Sequence, residues 1–419
     1  MNLSEGKTML NRREFLATSL VGSSLVALRG WGPGFLARTA LAAPTADSPG
    51  AKDTILVVIQ LTGGNDGLNT VVPFKDPLYA KYRPTLQLPR AQLQKVNDEI
   101  GLHPSMNGFA ELLQDGALCI VQGVGYPNPS QSHFRSMDIW HAASTRETLT
   151  EGWLGKALHR LPQTGAFHVA MANEPNWLAL QGAPFKVPAL TSLEDFQLRT
   201  PAASGSDQRS QRQVLEASVK RPADHPLLSF VQQTALNTYE NTRRLREIGR
   251  NYQPKVPYPQ TGLANRLRLV AQLIEANLGA RIYYVSLDGF DTHASQANTH
   301  ANLLAELSGA VTAFFKDMAA RGHRDRLCIM TFSEFGRRVQ ENGSRGTDHG
   351  SAAPMFLIGG RVRPGLVGEH PSLEKLEFGN LKHHTDFRQV YAAVLEKWLG
   401  IPSQGILDGQ FKPLDVFRS

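Results

Sequence analysis

Four short segments of this 419-residue chain gather carboxylates and imidazoles beside glycines. They are Thr62-Gly63-Gly64-Asn65-Asp66-Gly67, Asp288-Gly289-Phe290-Asp291-Thr292-His293, Ser333-Glu334-Phe335-Gly336-Arg337-Arg338 and Gly346-Thr347-Asp348-His349-Gly350-Ser351. Asp, Glu and His are the ligand set of Zn²⁺, Mn²⁺ or a similar divalent ion. Carboxylates brought to one place also repel unless a cation or proton neutralises them. The candidate ligands are therefore Asp66, Asp291, His293, Glu334, Asp348 and His349. Singly, each segment has a plainer reading: Asp66 and Asp291 as caps, His293 as a surface residue, Glu334 paired with Arg337, Asp348-His349-Gly350 as a turn. A fifth segment, Asn128-Pro129-Ser130-Gln131-Ser132-His133-Phe134-Arg135, supplies a candidate nucleophile. Ser132 falls at a predicted helix start, where backbone N–H groups and the helix dipole favour an anion or alkoxide. Arg135 adds a cation suited to phosphate or sulfate oxygens. The plainer reading makes Ser130 or Ser132 an N-cap and His133 a surface residue.

The elements that must position these residues are six continuous apolar runs: Ile55–Leu61, Leu118–Val124, Phe167–Met171, Ile282–Leu287, Leu327–Phe332 and Met355–Ile358. Continuous rather than alternating runs predict buried strands of a parallel sheet with helices over both faces. Leu263, Leu267, Val270, Ile274 and Leu278 share one helical face ended by Gly279. Leu303, Leu307, Val311, Phe314 and Met318 repeat the pattern before Gly322, and Phe387, Val390, Tyr391, Val394 and Trp398 mark a last helix ending at Gly400. The alternation predicts an α/β fold, a three-layer sandwich with a mostly parallel central sheet. Ligands bind such sheets beyond the carboxyl ends of the strands. Three of the four segments follow a strand directly, and the fourth precedes Met355–Ile358. A partly helical insertion or cap is predicted over 184–262, containing the polar stretch Thr200–Arg221 and the amphipathic stretch Pro222–Arg250.

The N-terminus reads as an address. Asn11-Arg12-Arg13-Glu14-Phe15-Leu16, the weakly apolar Ala17–Leu28 and the small-x-small site Ala40-Leu41-Ala42 predict a twin-arginine signal peptide over 1–42. Residues 43–419 then form a single domain, delivered by the twin-arginine translocase to the periplasm or beyond. No run of about 18 apolar residues occurs, so no stable membrane span is expected. Removing 1–42, with five basic and two acidic side chains, takes the formal charge from +7 to +4. No Lys/Arg block with interleaved aromatics is present, which argues against nucleic acid as a partner. Cys119 and Cys328 each lie inside an apolar run and read as buried thiols, a disulfide being the alternative in an oxidising compartment.

Together these segments resemble a large bacterial family catalogued as domain of unknown function 1501. The resemblance is carried by Leu61–Pro73 (LTGGNDGLNTVVP), Gly123–Trp140 (GVGYPNPSQSHFRSMDIW), Gly289–His293 (GFDTH), Met330–Arg338 (MTFSEFGRR), Thr347–Met355 (TDHGSAAPM) and Thr385–Tyr391 (TDFRQVY). It runs from about Ile55 to Gly400, and the twin-arginine signal belongs to the same pattern. More distantly, the chain resembles the alkaline phosphatase and sulfatase superfamily, which implies an alkaline-phosphatase-like core. That resemblance implies Asp66 as a first-strand ligand, Ser132 as nucleophile, and Asp291, His293, Glu334 and His349 as further ligands. It also implies one or two divalent ions (Zn, Mn, Mg or Ca), with Arg135 or Arg337 clamping the departing anion. Two departures stand out. Phe335 occupies the place of a usual His ligand, which points to a single ion or a weak second site. There is no Cys/Ser-x-Pro-x-Arg sequence, which disfavours a formylglycine sulfatase. The expected activity is hydrolysis or transfer of small anionic phosphate or sulfate esters. The alternative is a non-catalytic binding or assembly protein working with a protein partner.

Overall fold

The computed structural model describes residues 54–161, 164–175, 177–193, 213, 217, 247–249 and 251–418. The predicted signal peptide, and most of Thr200–Arg221 and Pro222–Arg250, lie outside the described residues.

Each apolar run forms a strand. In chain order the strands are β1 (Ile55–Leu61), β2 (Val71–Val72), β3 (Gln94–Lys95), β4 (Gly101–Leu102), β5 (Leu118–Gly125) and β6 (Gly165–Val169). They continue with β7 (Ala189–Leu190), β8 (Ala280–Leu287), β9 (Leu327–Ser333), β10 (Ala353–Gly359), β11 (Gly365–Val367) and β12 (Thr385–Asp386). Nine of them form one sheet in the order β11-β5-β10-β9-β1-β8-β6-β7, with β12 also paired to β5, while β2, β4 and β3 make a small separate sheet. The large sheet is parallel throughout except for β10, which runs antiparallel to both β5 and β9.

The orientation of β10 differs from the parallel strand expected of Met355–Ile358, and the reason is its connection. No helix intervenes between β9 and β10, and without a crossover consecutive strands pair antiparallel. The link instead prolongs the two strands as a hairpin. Gly336 N–H donates to Ser351 O at 2.8 Å, Gly350 N–H to Gly336 O at 2.8 Å and Arg338 N–H to Asp348 O at 3.0 Å. Residues preceding β10 thereby reach the same rim as those following β1, β8 and β9.

The helices that matter here are α1 (Gly67–Thr70), α2 (Pro77–Tyr82), α3 (Asn107–Gln114), α4 (His133–Ala142), α5 (Trp153–Arg160), α6 (Gly262–Glu275), α7 (Gln296–Ala320) and α8 (Phe387–Ala393). They cover the sheet on both faces. Leu357 pairs with Met330 across β10 and β9, so strand alternation sends Phe356 and Phe332 to opposite faces. Phe356 meets Phe109 of α3 at 5.1 Å between ring centroids, and α3 packs with α7, which packs with α6. Phe332 stacks on Trp140 of α4, which stacks in turn on Phe387 of α8, while Trp153 of α5 stacks on Tyr391. Cys119 and Cys328 are free and buried on β5 and β9. Among the described residues no helix is long and apolar enough to cross a membrane.

Candidate metal centre

Three strand exits and the hairpin arm before β10 meet at one rim because two features let their backbones touch. Gly63 (φ +116°) lies so close to the β8 exit that a Cβ there would stand 2.4 Å from the Asp291 nitrogen. Any side chain would push the two loops apart. Arg337, fully buried, then ties the loops together: Nε donates to Gly64 O at 2.7 Å, Nη1 to Thr347 O at 2.8 Å, and Nη2 to Phe290 O at 2.9 Å and also to Gly63 O. The same Nη2 donates to Asp291 Oδ1 at 2.7 Å. Arg337 thus makes its bonds inside the protein, as the knot that fixes the site.

Helix α4 is stapled to the same rim. In its first turn the Ser136 hydroxyl donates to Glu334 O at 2.5 Å and pairs with Tyr126 OH at 2.8 Å. This brings His133 against Glu334, whose carboxylate is fully buried. Phe335 packs against the rings of both His133 and His349, at 4.9 and 4.7 Å from them, and those two rings also touch at 4.3 Å.

Asp291 is the centre of the cluster. Its Oδ1 lies 3.0 Å from His293 Nε2 and 3.2 Å from His349 Nε2, and those two nitrogens are 2.9 Å apart. His133 Nε2 lies 3.5 Å from Asp291 Oδ2. One ligand atom each from His133, Asp291 and His349 falls within 4.8 Å of the others. Each imidazole is held from behind by an acceptor on Nδ1: Gln131 O at 2.8 Å for His349, Asp348 Oδ1 at 3.3 Å for His293, Glu334 Oε1 at 2.8 Å for His133. A carbonyl or carboxylate only accepts, so Nδ1 carries the proton, and a neutral ring keeps a lone pair on Nε2. The lone pairs therefore face one another and a carboxylate. Such a set repels unless a cation stands among its members, either a proton on one ring or a metal ion.

The electrostatics agree with that reading. Burial would raise the Asp291 carboxyl, but the Arg337 guanidinium bonded to it outweighs this and holds it at about 2. Burial lowers His349, which keeps its lone pair free at neutral pH. The bond to Glu334 raises His133, and the bond from Asn342 lowers Asp348. A tetrahedral ion with bonds of about 2.0–2.1 Å separates its ligand atoms by about 3.3 Å. The edges of the Asp291–His293–His349 triangle are close to that value. The donors fit a zinc-like ion, each His backed by a carboxylate or carbonyl as metal-bound imidazoles are.

Of the expected ligands, the structure thus brings Asp291, His293 and His349 together and sets Glu334 and Asp348 one step behind, as acceptors for imidazole N–H groups. Asp66 lies elsewhere. Its carboxylate is fully buried and takes a two-pronged pair from Arg83, Nη1 to Oδ2 at 2.5 Å and Nη2 to Oδ1 at 2.9 Å. Ser132 is the N-cap of α4, exposed, and makes no capping bond with its side chain. Arg135 turns away, its guanidinium donating to Thr145 O, Arg146 O and Glu147 O at 2.8, 2.5 and 3.4 Å. His133, read in the sequence only as a surface residue, also belongs to this cluster. The available signal was a His opening a helix just beyond a strand that ends at this rim.

No curated protein matches the chain in sequence. Among solved structures it is similar to a protein of the alkaline phosphatase superfamily from Vibrio parahaemolyticus (10% identity, 96% of this chain and 78% of that one, TM-score 0.41). It is also similar to the C-terminal periplasmic domain of EcEptC from Escherichia coli in complex with Zn (11% identity, 73% of each chain, TM-score 0.38). A third is the PsFucS1 sulfatase from Pseudoalteromonas sp. (12% identity, 96% of this chain and 77% of that one, TM-score 0.39). All three likenesses are distant. The sequence pattern of the family described as protein of unknown function, DUF1501, matches residues 51–402, and the chain belongs to that family.

Proposed function

We propose that this protein is an exported, metal-dependent hydrolase or transferase of small anionic phosphate or sulfate esters, with one divalent ion held by Asp291, His293 and His349. The observation that carries the proposal is the set of Nε2 lone pairs converging on the Asp291 carboxylate, each ring held from behind through Nδ1. A divalent ion bound there supplies a Lewis acid for an ester oxygen. The chain supplies the rest. Ser132 offers an exposed hydroxyl at the N-terminus of α4, where the first-turn N–H groups lack partners within the helix and favour an alkoxide. Asp291 keeps its negative charge far below neutral pH. Export through the twin-arginine translocase, before residue 43, is part of the same reading and rests on Arg12-Arg13 and the weakly apolar stretch behind them.

One observation favours a second reading, a binding or assembly protein that keeps the ion for structure. Arg135 and Arg337, the expected clamps, are both spent on backbone carbonyls. Turnover of aryl phosphate and aryl sulfate esters by the full chain separates the two readings. The enzyme reading expects activity abolished by chelation, restored by added metal, and cut at least ~100-fold in Ser132→Ala with metal content unchanged. Equal turnover by both forms removes the nucleophile. No turnover by protein that retains its ion leaves the binding reading.

A further inference from the structure

We infer that His133 is a fourth arm of the ion site, and that Glu334 is the positioning residue that makes it one. The inference rests on the metal reading above. His133 differs from the other two imidazoles in how it is held. Its Nδ1 lies 2.8 Å from Glu334 Oε1, and that oxygen also accepts the Gly63 N–H at 2.8 Å. Glu334 is fully buried, with its other oxygen 3.2 Å from the Ser333 hydroxyl, whose single proton has a shorter bond to Leu61 O at 2.7 Å. The Glu334 Oε1 is committed to the Gly63 N–H and to the His133 ring and so faces away from Asp291 as a ligand atom of its own. It does have the basicity and the direction to keep the proton on Nδ1 of His133.

The consequence appears at the far side of the ring. His133 Nε2 is buried and has no hydrogen-bond partner among the described residues, and it points toward Asp291 Oδ2 at 3.5 Å. A buried polar atom left unpaired carries a real energetic penalty. Here the cost is removed if Nε2 ligates. The ring packs against two aromatic neighbours, Phe335 at 4.9 Å and the His349 ring edge-on at 4.3 Å, which limits its choice of pose. His133 also opens α4, whose first turn is bonded to the Glu334 carbonyl through Ser136. One residue, Glu334, thus couples the exit of β9, the Gly63 turn and the first residue of α4.

Zinc titration of the full chain against a chromophoric chelator tests this, comparing the parent, His133→Ala, Glu334→Gln and the double variant. Outer partners of metal-bound histidines are worth roughly 10–100-fold in affinity. Glu334→Gln should lose about that much, His133→Ala at least as much, and the double variant no more than His133→Ala alone. The visible spectrum of the cobalt-loaded protein should change in both single variants. Parent affinity in His133→Ala overturns the fourth arm. An equal further loss from Glu334→Gln in the His133→Ala background overturns the positioning role, because Glu334 would then act as a ligand itself or only through Gly63. A parent that binds no zinc or cobalt overturns the metal reading and this inference together. If His133→Ala fails to fold by circular dichroism, His133→Gln carries the same comparison.

Discussion

Asp66 and Asp291 look alike in sequence, each in a Gly-rich turn beyond a buried strand, and both hold their carboxyl at about 2. Their surroundings are opposite. The Asp66 side chain is 0% exposed, paired on both oxygens by Arg83 and also bonded by Gln296 Nε2 at 2.5 Å. Gln296 passes the network on, accepting from Thr292 and Thr347 hydroxyls at 3.0 and 2.6 Å, next to Asp291 and Asp348 in the chain. Asn65, Thr70 and His300 close the other side, with His300 Nε2 3.0 Å and the Thr70 hydroxyl 3.0 Å from Asn65 Oδ1. Donors meet acceptors there. At Asp291, with a side chain 48% exposed, Arg337 donates to Oδ1, yet the imidazole nitrogens crowding the same carboxylate meet it as acceptors. A depressed carboxyl therefore does not by itself mark a functional site, since a buried ion pair produces one as well. Unsatisfied lone pairs aimed at one another are the better sign.

The contrast breaks most visibly at Arg83. Arg83→Met leaves a buried charge on Asp66 without its partner and should cost about 3–5 kcal/mol in denaturant unfolding, with zinc affinity of the folded fraction intact. Loss of zinc without loss of stability would reverse the roles assigned to the two clusters. Asp291→Ala should do the converse. Zinc affinity falls at least ~100-fold, while the metal-free protein stays within about 1 kcal/mol of the parent, because Arg337 keeps its backbone carbonyls.

A pH titration sharpens the same point. The Asp66 carboxyl is lower in the folded chain than its ordinary 3.8 because Arg83 overcomes the effect of burial. Its contribution is present above pH 4 and lost as pH falls toward 2, about 2 kcal/mol in all. Urea midpoints measured between pH 5 and 2 should show that slope in the parent and a shallower one in Arg83→Met, which loses the Asp66 share and keeps those of Asp291 and Glu174. The smallest effect belongs to Ser132→Ala, expected within about 0.5 kcal/mol of parent stability because the exposed hydroxyl makes no cap bond. A larger shift would assign Ser132 to the helix cap.

Much of this was legible in the residues. The apolar runs mark the strands, Ile55–Leu61 to the residue and Phe167–Met171 displaced by two, because continuous β-rich segments bounded by turns leave few alternatives. The rim positions of Asp291, His293 and His349 followed from strand order. The rest depended on partners remote in sequence. Arg83 lies 17 residues from Asp66, beyond α1 and α2, and nothing local announces the pair. The bonds of Arg337 run to backbone carbonyls of other loops, which composition does not reveal. His133 was masked by its neighbour Ser132, which fits a nucleophile. Its partner Glu334 is 201 residues away. The reversed β10 was hidden for a related reason, since a buried run carries no sign of its direction.

The central claim is the metal centre, and metal content tests it most directly. Natively exported full chain and its Asp291→Ala variant should be dialysed in parallel and assayed for divalent metals by elemental analysis. The account predicts a near-stoichiometric ion in the parent and its loss from the variant. A parent free of divalent metal, or a variant with unchanged content, would contradict it.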